Sequence, residues 1–477
     1  MAKFDSDTGT KNMILFPYFF VAAIFMMLTG YSLFAEGMFV DGVTYAAISR
    51  NLADGLGSFW DPFLSATLYP HFHQHPPLAL GLQGLAFRIF GDSLLIERFY
   101  SIATFFITGY LIVLIWTEIT GDKKSGWIPL LLWISFPLIS WAAASNLLDN
   151  TLSVFTTLSI LFILRSSSRK KNVFLVIAGL SLFAGLLTKG PFALFPWVLP
   201  FLWEFRQPAF ILKKAITKTM ILVLATLIPL IILIAVSADA RVSLQTYWTD
   251  QLVSSLSGVK TVSSRWYILG TIISQLVVPL LMAAITVLIF RLHIDKEKIR
   301  KYRKASALFL LLGLSGVLPV MISMKQSSFY ILPALPAFAL MIALPVFAIL
   351  EGPLDRMNAY PRSGKILRNS ALVILVLSIV VPPLLARYNP RDKDKLAMIN
   401  DFSTVIPAGT TVRINPALAA DWSLYSYFSR MSQISLDPSD QSSSSYYLDK
   451  DTARTENNIA ANWLRIRQIK GYVLFKK

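Results

Sequence analysis

Residues 36–77 carry side chains that could perform acid–base chemistry. Asp41 lies near the start of this stretch, and three of the four histidines, His71, His73 and His75, follow at alternate positions. A carboxylate beside a hydroxyl can remove its proton, whereas histidines can bind a phosphate or a metal ion. The stretch is too polar to lie in hydrocarbon, so we expect a functional loop at one membrane face.

A second set of candidates lies beside or between apolar segments. They are Asp149, Lys189, Arg265, Lys325 and Tyr330, with Tyr45 and His75 in the first loop. Ionisable groups at membrane depth are costly and usually serve function. Cations at the lipid–water boundary suit a phosphate, either as an anchor or as a leaving group. With Asp41 and Asp149 as candidate catalytic carboxylates, the set indicates transfer of a group from a lipid phosphate to a hydroxyl.

Several other classes of function are disfavoured. The sequence has no Walker loop or dinucleotide-binding fingerprint, which argues against a nucleotide-fuelled reaction. It has no cysteine, which excludes disulfides and thiolate metal sites. The net charge of +17 could suggest nucleic acid, but the basic residues fall in short clusters between apolar segments, as in membrane proteins. We therefore expect no nucleic-acid partner.

Composition predicts that a polytopic membrane protein positions these residues. Of its 477 residues, 55% are hydrophobic and only 15% are charged, more apolar surface than a soluble fold could bury. Eleven segments have roughly spanning length: 14–35, 99–120, 127–143, 151–164, 173–187, 191–205, 219–236, 266–290, 305–323, 329–350 and 369–386. The run 78–90 contains Arg88 and predicts a juxtamembrane or re-entrant helix, although twelve or thirteen spans stay open. The fold class is mostly α.

Charge predicts the orientation. With the N-terminus in the cytoplasm, Lys and Arg concentrate in the inner segments, as the positive-inside rule requires. A full span at 78–90 would move the basic clusters 165–171 and 291–304 outside. Eleven spans then place the tail outside. We expect a multi-pass protein of the bacterial cytoplasmic membrane, with a periplasmic or extracellular C-terminal domain.

The tail predicts a small α/β domain. Residues 411–414, 446–448 and 472–475 are strand-like, and 417–430 looks helical. We therefore divide the chain into a membrane domain, 1–386, which includes the outer loop 36–98, and a soluble extracytoplasmic domain, 387–477.

An ordered series of short motifs resembles the GT-C membrane glycosyltransferases, in the branch of the protein O-mannosyltransferases and the lipid A aminoarabinose transferases. The motifs are Asp41 with Tyr45-Ala46-Ala47-Ile48-Ser49-Arg50, His75-Pro76-Pro77-Leu78, Phe90-Gly91-Asp92-Ser93, Glu97-Arg98, Asp149, Thr188-Lys189-Gly190-Pro191 and Tyr330-Ile331-Leu332-Pro333. The resemblance covers about residues 14–350. It implies a GT-C-like fold, a polyprenyl-phosphate sugar donor, reaction on the extracytoplasmic face, inversion at the anomeric carbon, and Asp41 as the catalytic aspartate.

The chain departs from that family at two positions. Relatives often carry an acidic residue directly after the aspartate, where this chain has Gly42. The aminoarabinose transferases have Glu-Lys-Pro-Pro where this chain has Gln74-His75-Pro76-Pro77. His75 can still contact a phosphate when it is protonated, whereas a metal site carried over from the family would lack its glutamate.

Simpler structural roles compete with these assignments. Asp41 could cap a helix that starts near Val43, and Asp149 could cap the fourth span. In an extended segment, His71, His73 and His75 would share a side, as metal ligands could, but an interfacial aromatic loop would also explain them. Lys189 could snorkel to the interface without a partner. The simplest role for Glu97 and Arg98 is to orient the second span, as an ion pair.

The sequence hypothesis is a membrane glycosyltransferase. Asp41 is the general base, and the phosphate or sugar is held by Lys189, Lys325, His75, Arg265, Tyr330 and Tyr45. The chemistry requires no cofactor, and a divalent metal at His71, His73 and His75 is allowed. The partners are a lipid-linked sugar donor, a lipid or protein acceptor and the bilayer. The alternatives are a carrier or flippase of lipid-linked sugars, and a ligase or polymerase that consumes lipid-diphosphate glycans. The sugar and the acceptor stay open.

Overall fold

The computed structural model describes residues 6–357, 361–386, 388, 391–439, 444–450 and 463–477. Helices dominate these residues, as the sequence predicts. In chain order they are α1 (Ser6–Phe34), α2 (Val40–Ala53), α3 (Leu78–Phe90), α4 (Leu94–Thr120), α5 (Trp127–Ile134), α6 (Pro137–Ala143), α7 (Leu148–Ser168), α8 (Val173–Lys189), α9 (Leu199–Arg206), α10 (Leu212–Val236), α11 (Ala238–Tyr247), α12 (Ser254–Ser257), α13 (Tyr267–Ile289), α14 (Lys296–Val317), α15 (Leu335–Met357), α16 (Pro361–Ala386), α17 (Lys393–Phe402) and α18 (Trp422–Ser432).

The chain forms two compact units. The first, the bundle, comprises residues 1–33, 101–144 and 148–385, and the second, the loop–tail unit, comprises 34–100, 145–147 and 386–477. The first outer loop therefore folds with the C-terminal tail, whereas the sequence assigned it to the membrane domain.

Nine helical segments in the described part of the chain are long and apolar enough to cross a membrane. Apolar helices suit that setting because they satisfy every backbone hydrogen bond internally, where no water is available. The structure has two fewer segments than the eleven predicted spans, for two reasons. Segment 127–143 consists of two shorter helices, and segments 173–187 and 191–205 lie within one continuous helical stretch, Val173–Arg206.

The continuous stretch folds back on itself at Lys189 and Gly190. Gly190 has a φ of +64°, a left-handed conformation that glycine adopts without steric cost. A Cβ on Gly185 would lie 2.8 Å from the Cβ of Ala193, although eight residues of straight helix would separate them by about 12 Å. The stretch is therefore a helical hairpin that accounts for two predicted spans.

Segment 127–143 runs antiparallel to α4. Near one end of α4, the Ser101 hydroxyl donates to the Ala143 carbonyl at 2.7 Å. Near the other end, the Trp116 indole donates to the Ser125 hydroxyl at 2.9 Å. The helix breaks before Pro137, which has no N–H to continue it. The difference between the eleven predicted spans and the nine segments therefore lies in this pair of short helices and in the hairpin.

Residues 78–90 form the separate short helix α3, as predicted. One face carries exposed apolar side chains: Leu82, Leu85, Ile89 and Phe90. The opposite face buries Leu80 and Phe87 within the loop–tail unit.

The tail contains the predicted α/β arrangement. Its five strands are β1 (Thr411–Ile414), β2 (Ser435–Asp437), β3 (Tyr446–Lys450), β4 (Leu464–Ile469) and β5 (Tyr472–Lys476). They form one sheet in the order β2-β1-β3-β5-β4, in which β1 pairs in parallel with β2 and β3 and the other pairs are antiparallel. Helix α18 connects β1 to β2.

One hydrophobic core joins the loop to the tail. Met38 and Val43, around the start of α2, pack in the same cluster as Phe402, Phe428 and Leu474 from the tail. All five side chains are buried. Burial of this apolar surface is the main reason why the two segments form one unit.

Candidate functional site

Asp41 is the second residue of α2 and is half-buried. The helix begins at Val40, earlier than the sequence indicated, and Phe39 occupies the N-cap position. The alternative in which Asp41 caps a helix starting near Val43 is therefore wrong. Asp41 lies instead in the first turn of α2, at the end where the helix dipole is positive.

A close backbone approach explains the glycine after Asp41. A Cβ at Gly42 would collide with the Ser145 carbonyl oxygen and would lie 2.8 Å from the Met38 sulfur. The Asn146 side-chain amide donates to the Gly42 carbonyl at 3.0 Å, and Gln83 donates to the Asn146 side-chain oxygen at 2.9 Å. A larger residue would disrupt this network, which fixes the backbone next to Asp41.

The histidines do not share one side. The His71 ring lies 2.9 Å from an Asp61 oxygen, and the His73 ring lies 3.4 Å from the other oxygen. The His75 ring instead packs edge-to-face on Tyr45, at 5.8 Å between centroids. In the part of the chain that the structure describes, no group of three histidines or carboxylates is arranged to hold a metal ion.

In the bundle, Lys189 forms an ion pair with Asp149. The Lys189 ammonium donates to an Asp149 carboxylate oxygen, and the two side chains are 4% and 3% exposed. Asp149 is the second residue of α7, and Lys189 is the last residue of α8. The interpretation of Lys189 as a snorkelling residue without a partner is therefore wrong.

Aromatic rings complete the surroundings of this pair. The Lys189 ammonium lies 4.7 Å from the centroid of Tyr330 and 5.1 Å from that of Phe329. Ring faces attract cations, most strongly where water is excluded. Asp149, Lys189 and Tyr330 are thus three predicted site residues that the fold brings together.

Tyr247 contributes to the same cluster and was not among the predicted site residues. Its hydroxyl donates to the Lys189 carbonyl at 3.4 Å, and any Cβ on Gly190 would collide with it. Burial raises the pKa of the Tyr247 phenol, and Tyr330 adds to the effect. The hydroxyl therefore remains a hydrogen-bond donor. The Tyr247 hydroxyl occupies the space beside Gly190 where a side chain would otherwise lie. The sequence around either residue does not show this contact.

Lys325 and Arg265 lie on neighbouring segments of the bundle. The Lys325 ammonium donates to the Gln251 side chain at 2.9 Å, and partial burial lowers the pKa of Lys325. The Arg265 side chain is exposed, and its backbone carbonyl accepts a hydrogen bond from Gln326 at 3.1 Å. The described contacts do not join either cation to the Lys189 pair.

The predicted residues fall into two groups. The loop–tail unit carries Asp41, Tyr45 and His75, and the bundle carries the remaining five, Asp149, Lys189, Arg265, Lys325 and Tyr330. The first group has a carboxylate that suits a base, and the second a buried ammonium that suits an anion.

Glu97 and Arg98 have other partners than the sequence suggested. The Glu97 carboxylate accepts hydrogen bonds from Arg430 at 3.0 and 3.3 Å. Arg98 donates to the carbonyls of Ala35 and Gly37, at 2.9 and 2.5 Å. Both residues therefore tie the loop–tail unit together.

Comparison with known proteins links this fold to enzymes. Residues 74–236, less than half of the chain, match the model of the dolichyl-phosphate-mannose-protein mannosyltransferase family. No curated protein matches the chain by sequence.

Solved structures match over nearly the whole chain. ArnT from Cupriavidus metallidurans bound to undecaprenyl phosphate has a TM-score of 0.65 at 13% identity, covering 96% of this chain and 97% of that one. Its apo structure has the same TM-score at 12% identity, covering 96% of each chain. The archaeal oligosaccharyltransferase AglB from Archaeoglobus fulgidus, in complex with an inhibitory peptide and a dolichol-phosphate, has a TM-score of 0.51 at 12% identity, covering 94% and 70%.

These matches confirm the predicted resemblance to the GT-C membrane glycosyltransferases and the mostly helical, multi-pass fold.

Proposed function

We propose that the protein is an integral membrane glycosyltransferase that moves a sugar from a polyprenyl phosphate to an acceptor hydroxyl on the extracytoplasmic face. The family match and the GT-C-like fold support a glycosyltransferase. The observation that carries the donor class is the buried Lys189 ammonium, which lies beside the Asp149 carboxylate and two aromatic rings. Such a group at the end of a span suits the phosphate of a lipid carrier.

Asp41 is the proposed general base. Its carboxylate takes the proton of the acceptor hydroxyl as the oxygen forms a bond to the anomeric carbon. The bond from that carbon to the phosphate oxygen breaks, and the lipid phosphate leaves with the electron pair. Attack from the opposite side inverts the anomeric centre. The lipid phosphate is itself the leaving group, so the reaction requires no nucleotide.

Lys189 is the proposed phosphate ligand, because its charge would stabilise the leaving group. We assign Asp149 to holding Lys189 rather than to the reacting hydroxyl, since the two form an ion pair. Lys325, Arg265 and His75 are further candidates for the phosphate, and Tyr330 and Tyr45 for the sugar. This scheme allows a divalent metal but does not require one.

The test is sugar transfer by purified protein in liposomes, using a panel of radiolabelled polyprenyl-phosphate hexoses and pentoses with extracted envelope lipids and proteins as acceptors. Asp41→Asn keeps the size of the side chain and removes the base, so we expect transfer to fall at least about a hundredfold. Asp61→Asn is the matched control, because it changes another loop carboxylate, which pairs with His71 and His73.

Retained transfer in Asp41→Asn would contradict its role as base. If the wild type moved labelled lipid between leaflets without changing it, the carrier hypothesis would replace the enzyme. Transfer from diphosphate-linked glycans alone would favour the ligase or polymerase.

A further inference from the structure

Tail helix α18 is hydrogen-bonded to the loop segment that carries Asp41. The Tyr427 hydroxyl accepts a hydrogen bond from the Met38 N–H at 2.8 Å. It also lies within donating distance of the Asp392 carboxylate, at 3.0 Å, and of the Met38 carbonyl, at 3.1 Å. Met38 precedes Asp41 by three residues, so this contact fixes the backbone that leads into α2.

A second contact follows one turn into α2. The hydroxyls of Thr44 and Ser426 lie 2.6 Å apart, and Thr44 also donates to the Val40 carbonyl at 2.8 Å. Contacts with α18 therefore lie both before and after Asp41 in the sequence, at Met38 and at Thr44.

The last turn of α2 is held by the same tail helix. The Arg50 guanidinium donates to the Ser429 carbonyl. The Asn51 side-chain amide lies 3.4 Å from the Ser429 hydroxyl, which itself donates to the Leu64 carbonyl at 2.6 Å. Three positions of α18, Ser426, Tyr427 and Ser429, thus contact α2 or the residues just before it.

These side chains are buried, which gives the contacts their strength. Tyr427, Ser426 and Ser429 are 3%, 2% and 1% exposed, and a buried polar group that loses its partner is costly. Burial raises the pKa of the Tyr427 phenol, and the nearby Asp392 carboxylate acts in the same direction. The phenol is therefore neutral at physiological pH and can donate and accept at once.

We propose that Tyr427 is a positioning residue for catalysis: through Met38 it sets the direction in which the first turn of α2 presents Asp41. The proposal deepens the proposed function and rests on Asp41 as base. A base must meet its proton within hydrogen-bonding distance, and displacement by about 1 Å can reduce a rate about a hundredfold. The tail is then a part of the catalytic apparatus, because Tyr427 acts on Asp41 through the backbone of Met38.

The first test is Tyr427→Phe in full-length protein, which removes the hydroxyl and keeps the ring. We expect kcat for the transfer described above to fall about ten- to hundredfold, with KM for the labelled donor unchanged. Hydrogen–deuterium exchange in residues 38–44 should become faster, and exchange in the spans should not change. Tyr425→Phe is the matched control, because Tyr425 lies on the same helix and is buried in the same core.

The second test is rescue by a covalent link. The chain has no cysteine, so Thr44→Cys with Ser426→Cys introduces its only two thiols, at positions whose hydroxyls lie 2.6 Å apart. In the Tyr427→Phe background, the disulfide should restore kcat to within about threefold of wild type, and its reduction should remove the gain. A merely structural role for Tyr427 would lower stability without this reversible change in kcat.

The outcomes separate the two proposals. A wild type without transfer would overturn the proposed function. Unchanged exchange in residues 38–44, or unchanged kcat in Tyr427→Phe, would overturn the positioning role while leaving the function of Asp41 intact.

Discussion

Two buried cations, one in each unit, have similar surroundings but face different numbers of described carboxylates. Lys189 in the bundle and Arg430 in the loop–tail unit have side chains that are 4% and 3% exposed. Each lies over an aromatic ring, with Lys189 4.7 Å from Tyr330 and Arg430 4.9 Å from Phe87. Burial and ring contacts alone would therefore assign both to the same role.

The hydrogen bonds separate them. The Arg430 guanidinium binds Glu97 through two nitrogens and Asp92 through a third, at 2.7 to 3.3 Å. Burial would lower the pKa of Arg430, but the carboxylates of Glu97 and Asp92 more than offset this and raise it. All three nitrogens of Arg430 therefore donate to carboxylate oxygens, and two carboxylates face its one positive charge.

Lys189 has three ammonium hydrogens, and its described hydrogen bond goes to one oxygen of Asp149. An incoming phosphate could therefore be a further acceptor. The comparison teaches that burial and ring contacts do not by themselves indicate a binding site: Arg430 faces two carboxylates, whereas the described partner of Lys189 is one carboxylate.

The strongest way to break the comparison is Lys189→Met. It leaves Asp149 buried without its cation, which should cost about 3–5 kcal/mol of stability, and transfer should be lost. Thermal unfolding in detergent and the transfer assay measure the two effects.

The double variant Lys189→Met with Asp149→Leu separates the loss of stability from the loss of transfer. It replaces the pair by apolar side chains, so stability should return, because such replacements are often neutral, while transfer should stay absent. Recovery of transfer would mean that Lys189 serves the fold alone.

Arg430→Met tests the cation that faces two carboxylates. We expect a loss of about 3 kcal/mol, at the low end for a buried pair, because the Asp92 side chain is 49% exposed and can return to water. Adding Glu97→Gln removes the stranded charge and should restore both stability and transfer, measured by the same assays. Persistent loss of transfer in a stable double variant would show that this link is also part of the catalytic apparatus.

The smallest effect is expected for a half-buried ion pair in the tail. Asp421 pairs with Lys395 at 2.6 Å. Burial acts to raise the pKa of Asp421, but hydrogen bonds from Lys395 and Ser423 outweigh it and lower the pKa. A lowered folded-state pKa means that the pair stabilises the protein above the ordinary pKa of 3.8 and ceases to do so as pH falls through the folded value.

Lys395→Met should therefore lower Tm slightly at neutral pH, where the pair contributes fully, and the difference from wild type should shrink as pH falls below 3.8. Differential scanning fluorimetry between about pH 3 and 7 covers the window around the ordinary carboxyl pKa. A uniform loss of Tm at every pH would instead indicate lost packing of the lysine stem.

Local patterns predicted much of the molecule. The apolar segments gave the passes, including the split around Lys189 and Gly190 that proved to be a hairpin. Strands β1, β3 and β5 lie where alternation placed them. Strand β2 was missed because it has only three residues, and β4 because its Arg and Gln side chains are polar and largely exposed.

Long-range pairing set the limit of that approach. The sequence identified Asp149, Lys189 and Tyr330 as unusual residues, because charge beside an apolar segment is visible locally. It paired Glu97 with its neighbour Arg98, whereas the structure pairs Glu97 with Arg430, 333 positions away. The sequence also did not indicate Gln83, Asn146 and Tyr247, because the groups that they contact come close only in the folded protein.

The core shared by Met38, Val43 and the tail has a consequence for biosynthesis. The loop leaves the ribosome early, but the residues that cover it, such as Phe402 and Phe428, are made last. At about 5–20 residues per second, the loop must wait tens of seconds with its apolar side chains uncovered. A prematurely terminated chain lacks these tail residues and cannot complete the core. Only a full-length chain can therefore bury the start of the helix that carries Asp41.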